Sequence, residues 1–306
     1  MQIGRAYDAA AGTSFIDPRA LAKIDSLELV ARTVVEGFLN GLHRSPNLGA
    51  SMDFAEHRAY NPGDDLRRID WRLFGRSDRF FVKEFEADTN TNLLLVLDTS
   101  ASMGFASGGI SKLQYAKFLA SSLGYFSSRQ RDRIGLVTFA DRIVDYVPSA
   151  AKHLPIVLQT IARATPNGRG SLDAPLSQIA EHARRRQIVV IISDLYEEPE
   201  RVVRAVARLR NRGNDLIVMQ VLDPAELDLP FDDAANFEDM ETGEAIPVVP
   251  SLLRDQYRTL MAQHTATLAR LMREERIDYA LFNTSQPLDH ALFAYLADRQ
   301  RLSRTR

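Results

Sequence analysis

Five short runs of largely apolar residues recur through the C-terminal two-thirds of the chain, and helical patterns lie between most of them. Each run is four to seven residues long, the length of a buried strand, and the runs cover residues 93–97, 134–139, 188–192, 216–222 and 279–282. Strands this apolar are buried on both faces, so helices have to cover both sides of the sheet. The pattern predicts an α/β fold with a doubly wound, mostly parallel sheet over residues 91–306.

Helices, an edge strand and a hairpin can be placed around this sheet. Two sets of largely apolar residues recur at helical spacing and predict helices with one buried face: Ala116, Leu119, Leu123 and Phe126 in the first, and Leu253, Tyr257, Leu260, His264, Leu268 and Leu271 in the second. Segment 142–147 follows strand 134–139 after a two-residue turn, which predicts an antiparallel edge strand. The turn-rich segment 227–250 predicts a hairpin insertion outside the alternating core.

Residues 1–90 show a different pattern, which predicts an N-terminal attachment. Asp17 and Pro18 suit the N-cap and the first residue of a helix, and apolar positions then recur every three or four residues up to Leu42. We therefore predict one continuous amphipathic helix. A turn at 61–63 and an arginine- and aromatic-rich segment that ends in a strand follow it, so we expect a helix and a small β-rich part.

Composition narrows the class of protein. The chain has 306 residues, of which 45% are hydrophobic and 25% are charged, as in ordinary globular proteins. The absence of cysteine excludes disulfides, zinc ribbons, iron–sulfur clusters and thiol nucleophiles. A formal charge of -2 provides no overall field for nucleic acid or anionic membranes. Because every apolar run is far shorter than the roughly 20 residues of a membrane helix, and the N-terminus lacks a signal-peptide core, we expect a cytoplasmic protein without membrane insertion.

Polar side chains follow the predicted strands where the strands end. Asp98, Ser100 and Ser102 come after strand 93–97, Asp194 comes after strand 188–192, and Ser171 lies between them in a loop before a helix. Because ligands collect at the carboxyl ends of parallel strands, we expect these five side chains to lie along one edge of the sheet. Carboxylate, hydroxyl and water oxygens suit a hard divalent cation, Mg²⁺ in particular.

This set of residues resembles a known metal site. Asp98-x-Ser100-x-Ser102, with Ser171 in a Gly-x-Ser-x-Leu loop and Asp194 after a later strand, is similar to the metal-ion-dependent adhesion site of von Willebrand factor A-type domains. The resemblance implies that Ser100 and Ser102 bind the metal directly and that Asp98 and Asp194 bind it directly or through water. It also implies that a carboxylate from a partner protein completes the coordination of the metal. The expected ion is Mg²⁺, with Mn²⁺ or Ca²⁺ as alternatives. Ser171 replaces the usual threonine, which keeps the hydroxyl but loses the β-branch that stiffens χ1.

The upstream segment 53–72 is similar to the hallmark of a bacterial family, domain of unknown function fifty-eight. It reads DFAEHRAYNPGDDLRRIDWR, and members of that family couple such a segment to a von Willebrand A-type domain. They are commonly encoded beside MoxR-type AAA+ ATPases. The resemblance therefore implies an adaptor or cofactor for such an ATPase, acting in the assembly or maturation of other proteins.

Other functions stay open at this point. The same site could activate water as a Mg²⁺-dependent phosphoester hydrolase, and the arginines of segment 67–83 could bind nucleic acid. Nucleic-acid binding is the weaker hypothesis, because the aspartates interleaved with those arginines can pair with them inside the chain. The two site aspartates could also act only as helix caps. Since the sequence has no P-loop, HExxH or GxSxG motif, we expect a binding protein and not an enzyme.

Overall fold

The computed structural model describes residues 17–44, 57–59, 81–83, 91–182 and 186–288. The helices are α1 (Pro18–Leu21), α2 (Leu27–Arg44), α3 (Lys112–Arg129), α4 (Leu154–Arg163), α5 (Asp173–His182), α6 (Pro199–Arg210), α7 (Pro224–Asp228) and α8 (Pro250–Glu274). The strands are β1 (His57–Ala59), β2 (Phe81–Lys83), β3 (Asn92–Asp98), β4 (Arg133–Phe139), β5 (Ile143–Ala150), β6 (Ile188–Ser193), β7 (Asp215–Leu222), β8 (Ala235–Glu238), β9 (Ala245–Val248) and β10 (Asp278–Asn283). A short 3₁₀ helix covers Ala101–Gly104.

The central sheet has six strands in the order β10-β7-β6-β3-β4-β5. All neighbouring pairs are parallel except β4 and β5, which are antiparallel. The predicted mostly parallel sheet and its antiparallel edge strand are therefore confirmed. In the register of β3 with β6, Leu97 lies opposite Ile192, so the residues that follow, Asp98 and Ser193, emerge side by side at the carboxyl edge.

Helices cover both faces of this sheet. Successive strand residues point to opposite faces, so they pack into two separate cores. Leu94 and Val96 of β3 belong to a core shared with α5, α6 and α8. Leu95 of β3 faces the other side, where it packs beside Gly124 of α3 together with Leu154 of α4. All four predicted stripe residues of α3 are buried, and the doubly wound α/β class is confirmed.

The N-terminal helix differs from the prediction. Asp17 caps the helix as expected, with its Oδ1 accepting from Arg19 N at 2.8 Å. The chain leaves the helical path after Leu21 and resumes it at Leu27, where Ser26 Oγ accepts from Leu29 N at 3.3 Å. The prediction of one continuous helix was wrong because the apolar spacing carries no signal for a break, whereas the hydroxyl of Ser26 can begin a second helix.

Only part of the predicted apolar stripe of helix α8 is buried. Leu268 is fully buried and His264 Nε2 lies 3.0 Å from Leu195 O, but Leu253 and Leu260 are 45% and 57% exposed. In the first half of α8 the helix lies beyond the edge of the core, so helical spacing there does not correspond to burial.

Residues 39–90, which begin within the last part of α2 and end just before the sheet, form a separate unit. Its described strands β1 and β2 pair antiparallel, in agreement with a small β-rich part. Contacts group α1 and α2 up to Phe38 with the sheet domain, whereas the sequence placed a boundary at residue 90. Most of the arginine segment 67–83 and of the family hallmark 53–72 lies outside the described residues, so the roles of those arginines stay predictions.

A two-stranded hairpin, β8 and β9, interrupts the chain between α7 and α8. It lies within the segment 227–250 for which the sequence predicts a hairpin, and both of its strands are largely exposed. Within the ranges that the structure describes, no helix is both long enough and apolar enough to cross a membrane.

Candidate metal centre

Asp98 ends the central strand β3 and is held from two sides. Its carboxylate is 3% exposed. Oδ1 accepts from the backbone N–H of Ser100 at 2.8 Å, and Oδ2 accepts from Ser193 Oγ at 2.6 Å. Since Ser193 ends the neighbouring strand β6, the parallel register itself places this hydroxyl beside the carboxylate. Asp98 is therefore fixed at the carboxyl edge of the sheet.

The predicted hydroxyls gather around Asp98. Ser100 and Ser102 begin the 3₁₀ helix, and their Oγ atoms lie 3.1 Å apart. The loop that carries Ser171 is tied to them, since Ala101 N donates to Gly168 O at 2.9 Å. A Cβ atom at Gly170 would lie 3.3 Å from Ser100 Cβ, so this glycine lets the two loops approach closely.

Asp194 follows β6 on an unusual stretch of backbone. Its carbonyl accepts from Gln220 Nε2 at 2.7 Å. The next residue, Leu195, is buried and has a left-handed φ of 55°, while its N–H donates to Ser193 Oγ at 3.2 Å. A branched residue at positive φ is strained, and such strain clusters at functional sites. The backbone on both sides of Asp194 is thus held in place.

A small open cavity of about 180 Å³ joins these elements at the edge of the sheet. Its lining consists of Asp98, Gly170, Ser171, Leu172, Ser193, Asp194, Leu195, Tyr196, Glu197 and Glu241. Four of these described residues are acidic and none is lysine or arginine. The structure thus places Asp98, Ser171 and Asp194 around one cavity, with Ser100 N bonded to Asp98 and Ser102 Oγ in contact with Ser100 Oγ.

A buried lysine that the sequence analysis missed lies behind this cavity. Lys112 is 0% exposed, and its Nζ donates to Asp194 Oδ2 at 2.7 Å and to Glu226 Oε1 at 2.6 Å. The same ammonium lies 4.8 Å from the centre of the Tyr196 ring, a cation–π contact. Burial alone would lower the pKa of Lys112, but the charges of Asp194 and Glu226 outweigh it and raise the pKa, so the ammonium stays charged.

Asp98 has no comparable cation among the contacts that shift its pKa. Burial first, and then repulsion from Asp194, raise the pKa of Asp98 to about 7, although the hydrogen bonds from Ser193 and Ser100 oppose the shift. A buried carboxylate of this kind gains from any nearby positive charge. The electrostatics of the edge therefore favour the binding of a cation in front of Asp98.

The residues present fit a hard divalent cation. Those that would hold it are the carboxylates of Asp98 and Asp194 and the hydroxyls of Ser100, Ser102 and Ser171, an all-oxygen set of the kind that Mg²⁺ takes together with water. Among the described residues no three His, Cys, Asp or Glu side chains converge to hold a metal by themselves, so the hydroxyls are essential to this interpretation. Lys112 occupies Oδ2 of Asp194, which leaves the other oxygen to serve as a ligand.

Three acidic or basic residues at this edge carried only weak signals in the sequence. Lys112 is the first residue of α3, where a positive charge is unfavourable beside the positive end of the helix dipole. A lysine at such a position indicates that an ion pair stabilises it. Glu226 completes a capping box with Asp223 at the start of α7, which gives a local reason for it but no link to the site. Glu241 lies in the hairpin turn, and its place at the cavity depends on tertiary structure alone.

Several solved structures of low sequence identity resemble this chain in fold. An aerotolerance-related membrane protein from Bacteroides fragilis is 19% identical, with a TM-score of 0.47, and the match covers 66% of this chain and 96% of that one. The conserved hypothetical protein BatB from Bacteroides thetaiotaomicron is 16% identical, with a TM-score of 0.47 and coverage of 69% and 99%. The VWA domain of SpRpn10 is 13% identical, with a TM-score of 0.40 and coverage of 66% and 93%.

Sequence relatives cover more of the chain. The uncharacterized protein Rv1480 of Mycobacterium tuberculosis is 30% identical over 264 residues, which is 84% of this chain and 82% of that protein. The uncharacterized protein Mb1516 of Mycobacterium bovis matches to the same extent. The family model described as "Protein of unknown function DUF58" matches residues 56–267, well over half of the chain. The chain therefore belongs to the DUF58 family.

Proposed function

We propose that this chain is a metal-dependent protein-interaction module, which binds a partner and does not catalyse a reaction. The observation that carries the proposal is the buried carboxylate of Asp98, which lines an acidic cavity together with Asp194 and Ser171 and accepts from the backbone N–H of Ser100. A divalent cation, when bound, would supply a position that a carboxylate of another protein can take in place of water.

The chain's own residues would then contribute to the metal site in two different ways. Asp98 and Asp194 provide negative charge, and the hydroxyls of Ser100, Ser102 and Ser171 provide neutral oxygens. A site with only two carboxylates leaves a bound divalent ion with attraction for a third, which is the chemistry that selects an aspartate or glutamate from the partner. The hydrogen bonds from Ser193 and Ser100 N keep the carboxylate of Asp98 oriented toward this task.

For the partner, we propose a MoxR-type AAA+ ATPase, with this chain as its adaptor or cofactor in the assembly or maturation of other proteins. The support is the resemblance of segment 53–72 and of the Asp98–Ser102 motif to a family whose members are commonly encoded beside such ATPases. Family membership over residues 56–267 is consistent with this proposal.

Binding of the MoxR-type ATPase from the same organism is expected to require both Mg²⁺ and Asp98. We expect Asp98→Ala and Ser100→Ala to weaken binding by about 100-fold or more, equivalent to roughly 2.7 kcal/mol. Biolayer interferometry with the immobilised chain, in Mg²⁺ and without nucleotide, measures this affinity. Comparing variants at a constant Mg²⁺ concentration is more informative than chelating Mg²⁺ with EDTA, because EDTA would also remove Mg²⁺ that the ATPase itself binds.

Asp228→Ala is the matched control, since Asp228 is an exposed aspartate that pairs with Arg258 on the surface. It should bind like the wild type. Equal binding by Asp98→Ala and the wild type would contradict the proposed mechanism. Turnover of a phosphoester that is lost in Asp98→Asn would instead favour the hydrolase hypothesis.

A further inference from the structure

The β8–β9 hairpin and the first turn of α8 expose a group of large apolar side chains. Phe237 and Ile246 are cross-strand partners, so their side chains lie on the same face of the hairpin. The ring of Phe231 packs edge-on against that of Phe237, with 5.7 Å between the ring centres. We call this group the hairpin face, and it consists of Phe231, Phe237, Ile246, Val249, Leu252 and Leu253.

The two parts of the hairpin face are held together by backbone and side-chain bonds. Val249, which follows β9, is the N-cap of α8, and its carbonyl accepts from Leu252 N at 3.1 Å. Arg254, in the same part of α8, reaches back to the segment before β8. It donates to Phe231 O at 2.8 Å and pairs with Asp232 at 2.5 Å. The apolar side chains are therefore presented in a defined arrangement.

The exposure of this face is unfavourable unless something covers it. Ile246 and Leu252 are 62% and 80% exposed. Single exposed apolar residues are ordinary, but a group of neighbouring ones marks an interaction site on a soluble protein. Leu253 belongs to the apolar spacing that predicted a buried side of α8, yet no element among the described residues buries it. The hairpin face therefore has the character of a docking surface.

The charges around the hairpin face indicate what kind of molecule covers it. Residues 229–253 include no lysine, arginine or histidine, whereas six of them are acidic: Asp232, Asp233, Glu238, Asp239, Glu241 and Glu244. The phosphates of nucleic acid or of anionic lipid would be repelled here. A second copy bound symmetrically through the same face would bring like charges together. Lysine or arginine side chains set among apolar ones complement both the charge and the apolar surface.

We propose that the hairpin face binds a basic amphipathic segment of a partner protein. Apolar side chains of that segment cover Ile246 and Leu252, and its lysines or arginines pair with the acidic residues of the hairpin. This inference goes beyond the proposed function, because it requires neither a metal ion nor Asp98. The turn of the same hairpin lies beside the candidate metal centre, where Glu241 lines the cavity. A partner bound to the hairpin face therefore lies next to that cavity.

A synthetic helical peptide of leucine and lysine, with the leucines along one side, is the probe for this face. Fluorescence anisotropy measures its binding to the full chain in the presence of EDTA. We expect Ile246→Ser and Leu252→Ser each to weaken binding roughly tenfold, because each variant loses one covered apolar side chain. A second peptide with glutamate in place of lysine should bind at least roughly tenfold more weakly to the wild type, since it meets like charges.

Ile156→Ser is the matched control, because Ile156 is 49% exposed on α4, which packs against β4 and β5. It should bind the lysine peptide like the wild type, and so should Asp98→Ala. If Ile246→Ser and Leu252→Ser bind as tightly as Ile156→Ser, or if the glutamate peptide binds as tightly as the lysine peptide, the inference is overturned while the proposed function stands. Absence of peptide binding to the wild type would overturn it too.

Analytical ultracentrifugation of the wild type and Leu252→Ser tests the alternative occupant of the hairpin face, a second copy of the chain. We expect the two proteins to sediment alike at every concentration. Self-association of the wild type that Leu252→Ser abolishes would assign the face to a second copy and overturn the proposed partner.

Discussion

Replacing Lys112 with methionine is expected to lower the free energy of unfolding by about 3–5 kcal/mol, because it breaks a buried ion pair from one side. Lys112 is fully buried, and its ammonium bonds both Asp194 and Glu226, whose side chains are 6% and 14% exposed. Methionine fills a similar volume, so the loss arises from the charges and not from a cavity. The two carboxylates would be left without their shared cation.

Urea denaturation of the metal-free protein measures this loss. Lys117→Met is the matched control on the same helix, since Lys117 is only half-buried and its Nζ makes one hydrogen bond, to Ala162 O, and no ion pair that the structure gives. We expect that control to cost about 1 kcal/mol, the value of an ordinary hydrogen bond. A loss of similar size in the two variants would show that the ion pair with Asp194 and Glu226 contributes little to stability.

The stability of the metal-free protein is also expected to depend on pH through Asp98. Burial and repulsion from Asp194 raise the pKa of Asp98 from 3.8 to about 7 in the folded protein. Between these two values the folded state binds more protons than the unfolded state. The contribution of Asp98 to stability is therefore present below about pH 4 and is lost as the pH rises to about 7, with a slope of at most about 1.4 kcal/mol per pH unit.

Asp98→Asn isolates this contribution from those of other carboxylates. Its amide can still accept from Ser100 N and bond Ser193 Oγ, but it does not titrate. In EDTA-treated samples, the variant should become progressively more stable than the wild type as the pH rises from about 4 to about 7. Parallel stability curves for the two proteins across this range would exclude the raised pKa of Asp98.

The sheet and the position of the two aspartates at its edge were predictable because both follow from local sequence, whereas their role as metal ligands stays a prediction. Apolar runs define the strands, and Asp98 and Asp194 directly follow two of them, so the rule that ligands collect at the carboxyl ends of strands placed both. Ser100, Ser102 and Ser171 come from loops at the same edge. The von Willebrand A-type and family resemblances added the expected roles and the expected partner class.

Residues whose roles depend on contacts between distant elements were not predictable in this way. Lys112 meets Asp194 and Glu226 only after α3 packs beside the ends of β6 and α7. Glu241 reaches the cavity only because an insertion folds back over the edge of the sheet. The helical spacing of the apolar residues also did not indicate the break between α1 and α2, which depends on the hydroxyl of Ser26.

Direct titration of Mg²⁺ into chelator-treated protein, followed by isothermal calorimetry, tests the central claim most directly. The wild type should bind one ion per chain, and Asp98→Ala should bind about 100-fold more weakly or not at all, because the more buried of the two proposed carboxylate ligands is lost. Circular dichroism confirms that the variant is folded, and Asp228→Ala should titrate like the wild type. A wild type that binds no Mg²⁺, or a folded Asp98→Ala that binds it equally well, would contradict the account.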